Sequence, residues 1–181
     1  MNLTEQQVER AIYSLWDFQQ ALSALTFLLE DCDFEKKYDK VSLRRFRCYE
    51  SNLIISMARP FDTTRGGTTV GLRAMGVSLV DREKELKKRI LDLRGKIIAH
   101  SSEEEMHFRV STFPVLDGDI NFPHFQFNEG LHLNKMELLE IERMLQRLKS
   151  EMASFFFKLA QDQPEVLNKY KEPSSIDSAK P

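Results

Sequence analysis

Arg94 and His100 close the segment Leu93-Arg94-Gly95-Lys96-Ile97-Ile98-Ala99-His100, which is otherwise apolar and patterned as a helix. Arginine is a permanent cation whose fork of donors fits a phosphate, and histidine exchanges protons near neutral pH. A pair of these types suits phosphodiester chemistry. Their spacing sets a geometric condition. Six positions of α-helix leave the side chains about 120° apart and about 9 Å along the axis, too far to share one site comfortably. Either the helix loosens near Ala99 and turns the histidine, or the arginine of one chain meets the histidine of another across a twofold axis.

The elements that must hold these residues are read from composition and periodicity. The chain has 181 residues, 41% hydrophobic and 30% charged, enough for one domain with a substantial core. That domain is expected over 1–170, with 171–181 as a disordered tail rich in Ser, Pro and charge. Lys+Arg 26 against Asp+Glu 28 gives a net charge of -2, so nucleic-acid binding would need a local basic patch. Leu53-Ile54-Ile55 and Phe155-Phe156-Phe157 are far too short to span a bilayer, and no basic-then-apolar leader opens the chain. A cytoplasmic protein without a membrane partner is expected. Cys32 and Cys48 lack the spacing of a redox or zinc pair and are read as reduced thiols in or near packing.

Thr4 and Gln7 have the form of a capping box, with Leu3 placed to pack on Val8. The first helix should run to about Glu30, with Val8, Ile12, Leu15, Leu22 and Leu29 on its buried stripe and Ala11, Phe18 and Leu25 widening it. Trp16 is assigned to packing. After a charged connector from Asp31 to Lys40, Leu43, Phe46, Glu50, Leu53 and Met57 form a second apolar seam, which Pro60 and Gly66-Gly67 end. A loop then reaches about Val77; its glycine pair lacks the Lys-Ser/Thr of a phosphate-binding loop.

Ser78 or Asp81 is placed to cap a third helix whose inner side is Leu86, Ile90, Leu93 and Ile97. The same steps carry on to His100. Met106, Phe108 and Val110 alternate with polar residues, Asp117-Gly118-Asp119 signals a turn, and 122–127 alternates loosely, which reads as a small β-hairpin near 106–127. Asn134 and Glu137 form a second capping box, with Leu133 facing Leu138, for a last helix to about Ala160.

Glu50 is an acid inside an apolar seam, so it must either pair with a cation such as Arg94, sit at a wet margin, or bond a nearby lysine or backbone amide. Facing Arg94 or His100, it would orient them. The plain alternative for the main pair is a histidine that caps helix carbonyls and an arginine paired with Asp92 or Glu50. His107, His124 and His132 lack metal-ligand spacing, and His124 sits among aromatic neighbours as packing residues do. Lys36, Lys37, Lys40, Arg44, Arg45 and Arg47, and again Lys84, Lys87, Lys88 and Arg89, are either an RNA-backbone track or solvated helix faces.

The motif from Leu93 to His100 resembles the signature of the HEPN superfamily, often written Arg-Asn-x-x-x-Ala-His. The segment Arg59-Pro60-Phe61-Asp62 also looks like the end of an earlier helix in the abortive-infection branch of that superfamily. The resemblance implies an all-α, HEPN-like bundle of four to five helices, into which the small hairpin read above is inserted. It implies a metal-independent endoribonuclease without a cofactor, a toxin or phage-defence effector, with its site between two protomers and an antitoxin or other protein as partner. Arg94 would hold or polarise the scissile phosphate, and His100 would handle the proton of the 2′-hydroxyl or of the leaving group. Apart from the resemblance, Glu50 and Lys96 are expected to support the pair. The chain departs from the pattern at Gly95, where members usually carry Asn, Asp or His. Ser101-Ser102 follows His100 without the tyrosine that one branch modifies. The rival expectation is a non-catalytic HEPN-like dimerisation or partner-binding module.

Overall fold

Thr4 starts the first helix. Its hydroxyl accepts the Gln7 amide at 3.3 Å while Gln7 Oε1 accepts the Thr4 amide at 2.8 Å. Helix α1 then runs Glu5–Asp31. The computed structural model describes residues 3–62, 71–98, 108–115, 120–127 and 129–168. The tail 171–181 lies outside them.

The buried line of α1 is Ala11, Ser14, Phe18, Ala21, Leu25 and Leu28, alternating steps of three and four. Leu15, Leu22 and Leu29 flank it, half-buried. The seam therefore centres one position away from the stripe that side-chain size suggested. Ala11, Ala21 and Ala24 sit inside it because α1 packs on two helices, α2 and α4, and small residues suit that closeness. Trp16, assigned to packing from sequence, is 57% exposed. It stands about 200° around the helix from Phe18, on the outer side.

Asp39 caps α2, Lys40–Ala58, by accepting the Ser42 amide at 2.7 Å. Pro60 ends it as expected, and Arg59–Phe61 turn off in a 3-10 helix. A second 3-10 turn, Leu72–Met75, is closed by Gly76 at φ 77°, a left-handed conformation open to glycine at little cost. Helix α3, Asp81–Leu93, buries Leu86, Ile90 and Leu93. Its N-cap is Val80, neither Ser78 nor Asp81. Valine has no side-chain acceptor, so Glu83 Oε2 reaches back to the Val80 amide at 3.0 Å, while Asp81 pairs with Lys84. Arg147 of the last long helix ties that helix to this start through Glu83 and the Ser78 carbonyl.

Strands β1, Phe108–Val115, and β2, Ile120–Phe127, form an antiparallel hairpin with Phe108 opposite Phe127 and Val115 opposite Ile120. The expected turn at Asp117-Gly118-Asp119 lies outside the described residues. Helix α4, Lys135–Asp162, begins with the expected capping box of Asn134 and Glu137, and Leu133 and Leu138 are both buried beside it. A short α5, Pro164–Asn168, follows.

The four long helices close a ring: α1 packs on α2 and α4, and α3 packs on α2 and α4. Their inner faces share one apolar core. The expected helical bundle with a hairpin between its last two long helices is what forms. Among the described residues no helix is long and apolar enough to cross a membrane. Cys32 is buried and Cys48 is exposed, both as free thiols.

Candidate functional site

The α-helical ladder of α3 gives way at Arg94, and residues Arg94–Ile98 form a π turn. Such turns are rare and cluster at functional sites. This departure from α-helix lies five residues before Ala99, where loosening is one of the two alternatives set by the spacing. Ala99 and His100 lie outside the described residues, and so does His107.

Arg94 reaches across to the end of α2. Its Nη2 is 3.1 Å from Asp62 Oδ2, with the arginine one-third exposed and the aspartate more buried. Asp62 is set by the 3-10 turn, its amide donating to the Arg59 carbonyl at 3.3 Å. The turn is itself held from two sides. Phe61 packs on Phe18 of α1 with ring centroids 5.6 Å apart, and Lys87 of α3 stands 5.1 Å over the same ring. Arg59 Nη1 lies 3.3 Å from Asp17 Oδ1, and Arg10 donates to the Arg59 carbonyl. Burial raises the Asp17 carboxyl above its ordinary range, and the Arg59 guanidinium works against that rise. Helices α1 and α3 therefore both brace the turn that carries the carboxylate paired with Arg94.

Glu50 serves a different place. It is 1% exposed, and its Oε1 accepts the amides of His132 and Leu133 at 2.7 and 2.8 Å. Burial raises its carboxyl above the usual range, opposed by those two amides and by Arg47 and Arg89. Of the readings left open for Glu50, the bond to backbone amides is the one that forms. Its acid fixes the loop entering α4, and Arg47 and Arg89 donate to the Gly130 and His132 carbonyls of the same loop. Arg94 is paired with Asp62, rather than with the Asp92 or Glu50 considered from sequence.

Lys96 lies in the π turn and is exposed. Gly95 is open: a Cβ built there meets nothing within 4 Å. Lys84, Lys87, Lys88, Leu91 and Asp92 of α3, together with Leu79 before it, line an open depression of about 300 Å³. The other basic cluster is drawn into ion pairs, Arg44 with Glu129 at 2.7 Å and Arg45 with Asp31 at 3.6 Å. His124, expected in packing, is exposed on the hairpin against Phe113. Among the described residues no three His, Cys, Asp or Glu side chains come together as a metal site would need.

Sequence reasoning missed Asp62 as the partner of Arg94, and missed the Asp17–Arg59 pair. Asp17 carried a usable signal, since it stands next to Phe18 on the buried side of α1 just as Glu50 stands in the seam of α2. Asp62 stands out only as part of the Arg59-Pro60-Phe61-Asp62 segment, because a residue after a proline-terminated helix has no periodicity to pair it with Arg94.

Comparison with family models, with curated proteins and with solved structures finds no match to this chain.

Proposed function

We propose that this chain is a HEPN-type, metal-independent endoribonuclease, acting as a toxin or phage-defence effector through a site shared between two protomers. The observation that carries the reading is the π turn that starts at Arg94 and leads into Ala99-His100. Turns of this kind are rare and cluster at functional sites, and this one begins at the arginine of the motif. Asp62 supports it by fixing the guanidinium on a braced turn, so that its remaining donors are aimed before substrate arrives.

In the proposed reaction the RNA 2′-hydroxyl oxygen attacks the adjacent phosphorus and the bond to the 5′-oxygen breaks. The products are a 2′,3′-cyclic phosphate and a 5′-hydroxyl. Arg94 stabilises the charge that gathers on the phosphate oxygens. His100 accepts the 2′-hydroxyl proton or delivers one to the leaving oxygen, with water making the other transfer, a contribution of roughly 100- to 10,000-fold. Lys96, exposed in the same turn, adds positive charge beside the phosphate. Glu50 supports the site only through the fold.

A second reading, a non-catalytic HEPN-like dimerisation or partner-binding module, draws on Gly95, which offers no polar side chain beside Arg94. Purified chain incubated with RNA in EDTA separates the two. Cleavage that disappears in folded Arg94→Ala and His100→Ala supports the enzyme. An inert, folded wild type supports the module.

A further inference from the structure

Several arginines of the bundle surface are committed to carboxylates: Arg44 to Glu129, Arg45 to Asp31, Arg82 to Glu85 and Glu140, and Arg147 to Glu83 and Glu151. Lys87 and Lys88 differ. Among the described residues neither forms an ion pair. With Lys84 they bring three cations to the depression on α3, against a single lining acid, Asp92. Lys84 pairs with Asp81 at 2.7 Å, but both side chains are exposed, so a multiply charged anion displaces that partner readily.

The depression adjoins Arg94. Helix α3 keeps its geometry up to that residue, whose backbone lies at φ -60° and ψ -45° and whose amide donates to the Ile90 carbonyl. The step from Lys87 to Arg94 turns the helix by about 700°, which leaves the two within about 20° of each other and about 10 Å apart along the axis. Leu91, Lys84 and Lys88 follow at about 40°, 60° and 100° on the other side of Lys87. The contacts agree with that count. Lys87 stands over the Phe61 ring, and Arg94 pairs with the next residue, Asp62. The free cations and the arginine of the motif therefore form one strip of α3 that meets one turn.

The geometry points to this strip as a track for the sugar-phosphate backbone of single-stranded RNA, with Lys84, Lys87 and Lys88 neutralising phosphates that flank the one held by Arg94. The track takes its substrate class from the ribonuclease reading, and it supplies the local basic patch that a net charge of -2 demands. Lysine suits this work, because a point charge on a flexible stem follows a backbone without imposing one geometry. Leu79 and Leu91 offer apolar surface to the sugars between the phosphates. Asp92 repels the strand and limits its affinity. An unpaired strand is the form free to bend until the 2′-hydroxyl oxygen lies in line with the bond to be broken.

Fluorescence anisotropy with a short single-stranded RNA carrying 2′-O-methyl groups throughout reads binding without cleavage, so failure of the track and failure of the ribonuclease are separable. The wild type is expected to bind this probe with an affinity that falls as salt rises, each phosphate contact adding about 0.7 to the slope of log affinity against log salt. Lys84→Gln combined with Lys88→Gln leaves Lys87 on the Phe61 ring. It is expected to flatten the slope by about 1.4 and to weaken binding several-fold at low salt, with the helical circular dichroism unchanged. Asp92→Asn removes the opposing charge and should tighten binding. Arg44→Gln with Arg45→Gln, on α2, should alter neither slope nor affinity. A wild type that does not bind the probe, an unaltered slope in the lysine variant, equal affinity in Asp92→Asn, or an equal loss in the α2 variant overturns the track. Unmodified RNA left intact by a wild type that binds the probe through these lysines supports the track and contradicts the ribonuclease.

Discussion

Asp62 Oδ2 stands 3.1 Å from Arg94 Nη2, joining the end of the 3-10 turn after α2 to the first residue of the π turn. The guanidinium is one-third exposed, so solvent screens the pair and its worth is modest, about 0.5–1 kcal/mol. A double-mutant cycle of Asp62→Asn and Arg94→Ala, followed by urea unfolding, is expected to return a coupling of that size. Raising the salt to molar concentration should shrink it. A coupling of zero at low salt would mean that the pair does not hold the arginine.

Glu50 makes the sharper stability prediction. Glu50→Ala leaves the buried amides of His132 and Leu133 without an acceptor and opens a cavity, costing about 2–4 kcal/mol. Glu50→Gln keeps an oxygen for both amides and removes the buried charge, so it should be near neutral or stabilising at pH 7.

The same residue sets a pH dependence. Burial raises the folded carboxyl above its unfolded value of about 4.3, so the folded state holds its proton longer. The stability this group contributes is complete below the unfolded value and is lost as pH rises through the folded one. Urea unfolding of Glu50→Gln from pH 4 upward should therefore lack a decline that the wild type shows. Parallel curves would contradict the assignment.

Much of the fold was legible because it follows from local rules. Both capping boxes, the end of α2 at Pro60 and the hairpin were written in residue types at fixed spacing. The centre of the α1 seam was not, since Ala11, Ala21 and Ala24 look unremarkable until two helices are known to close on them. The exposure of Trp16 was hidden for the same reason. The candidate site divided along similar lines. Arg94 announced itself by type, whereas its partner Asp62 and the α-to-π change depend on how α2 and α3 meet, which no spacing within either helix encodes.

Gly95 offers a test of the motif's departure. Nothing stands within 4 Å of a Cβ there, and glycine in a helical turn forfeits roughly 0.5–1 kcal/mol relative to alanine. Gly95→Ala should raise stability by about that amount in thermal or urea unfolding. Gly95→Asn, which places a polar side chain beside Arg94 as the proposed ribonuclease reading expects, should fold as well as the wild type and increase RNA cleavage. A loss of stability in both variants would show that the turn demands glycine.

The most direct test is the chemistry of the product ends. Purified wild type is incubated with single-stranded RNA in EDTA, beside folded Arg94→Ala and His100→Ala. The expected result is fragments ending in 2′,3′-cyclic phosphate and 5′-hydroxyl, absent with either variant and blocked where the attacking 2′-hydroxyl is replaced by hydrogen. Intact RNA after incubation with folded wild type, or equal cleavage by all three proteins, would contradict it.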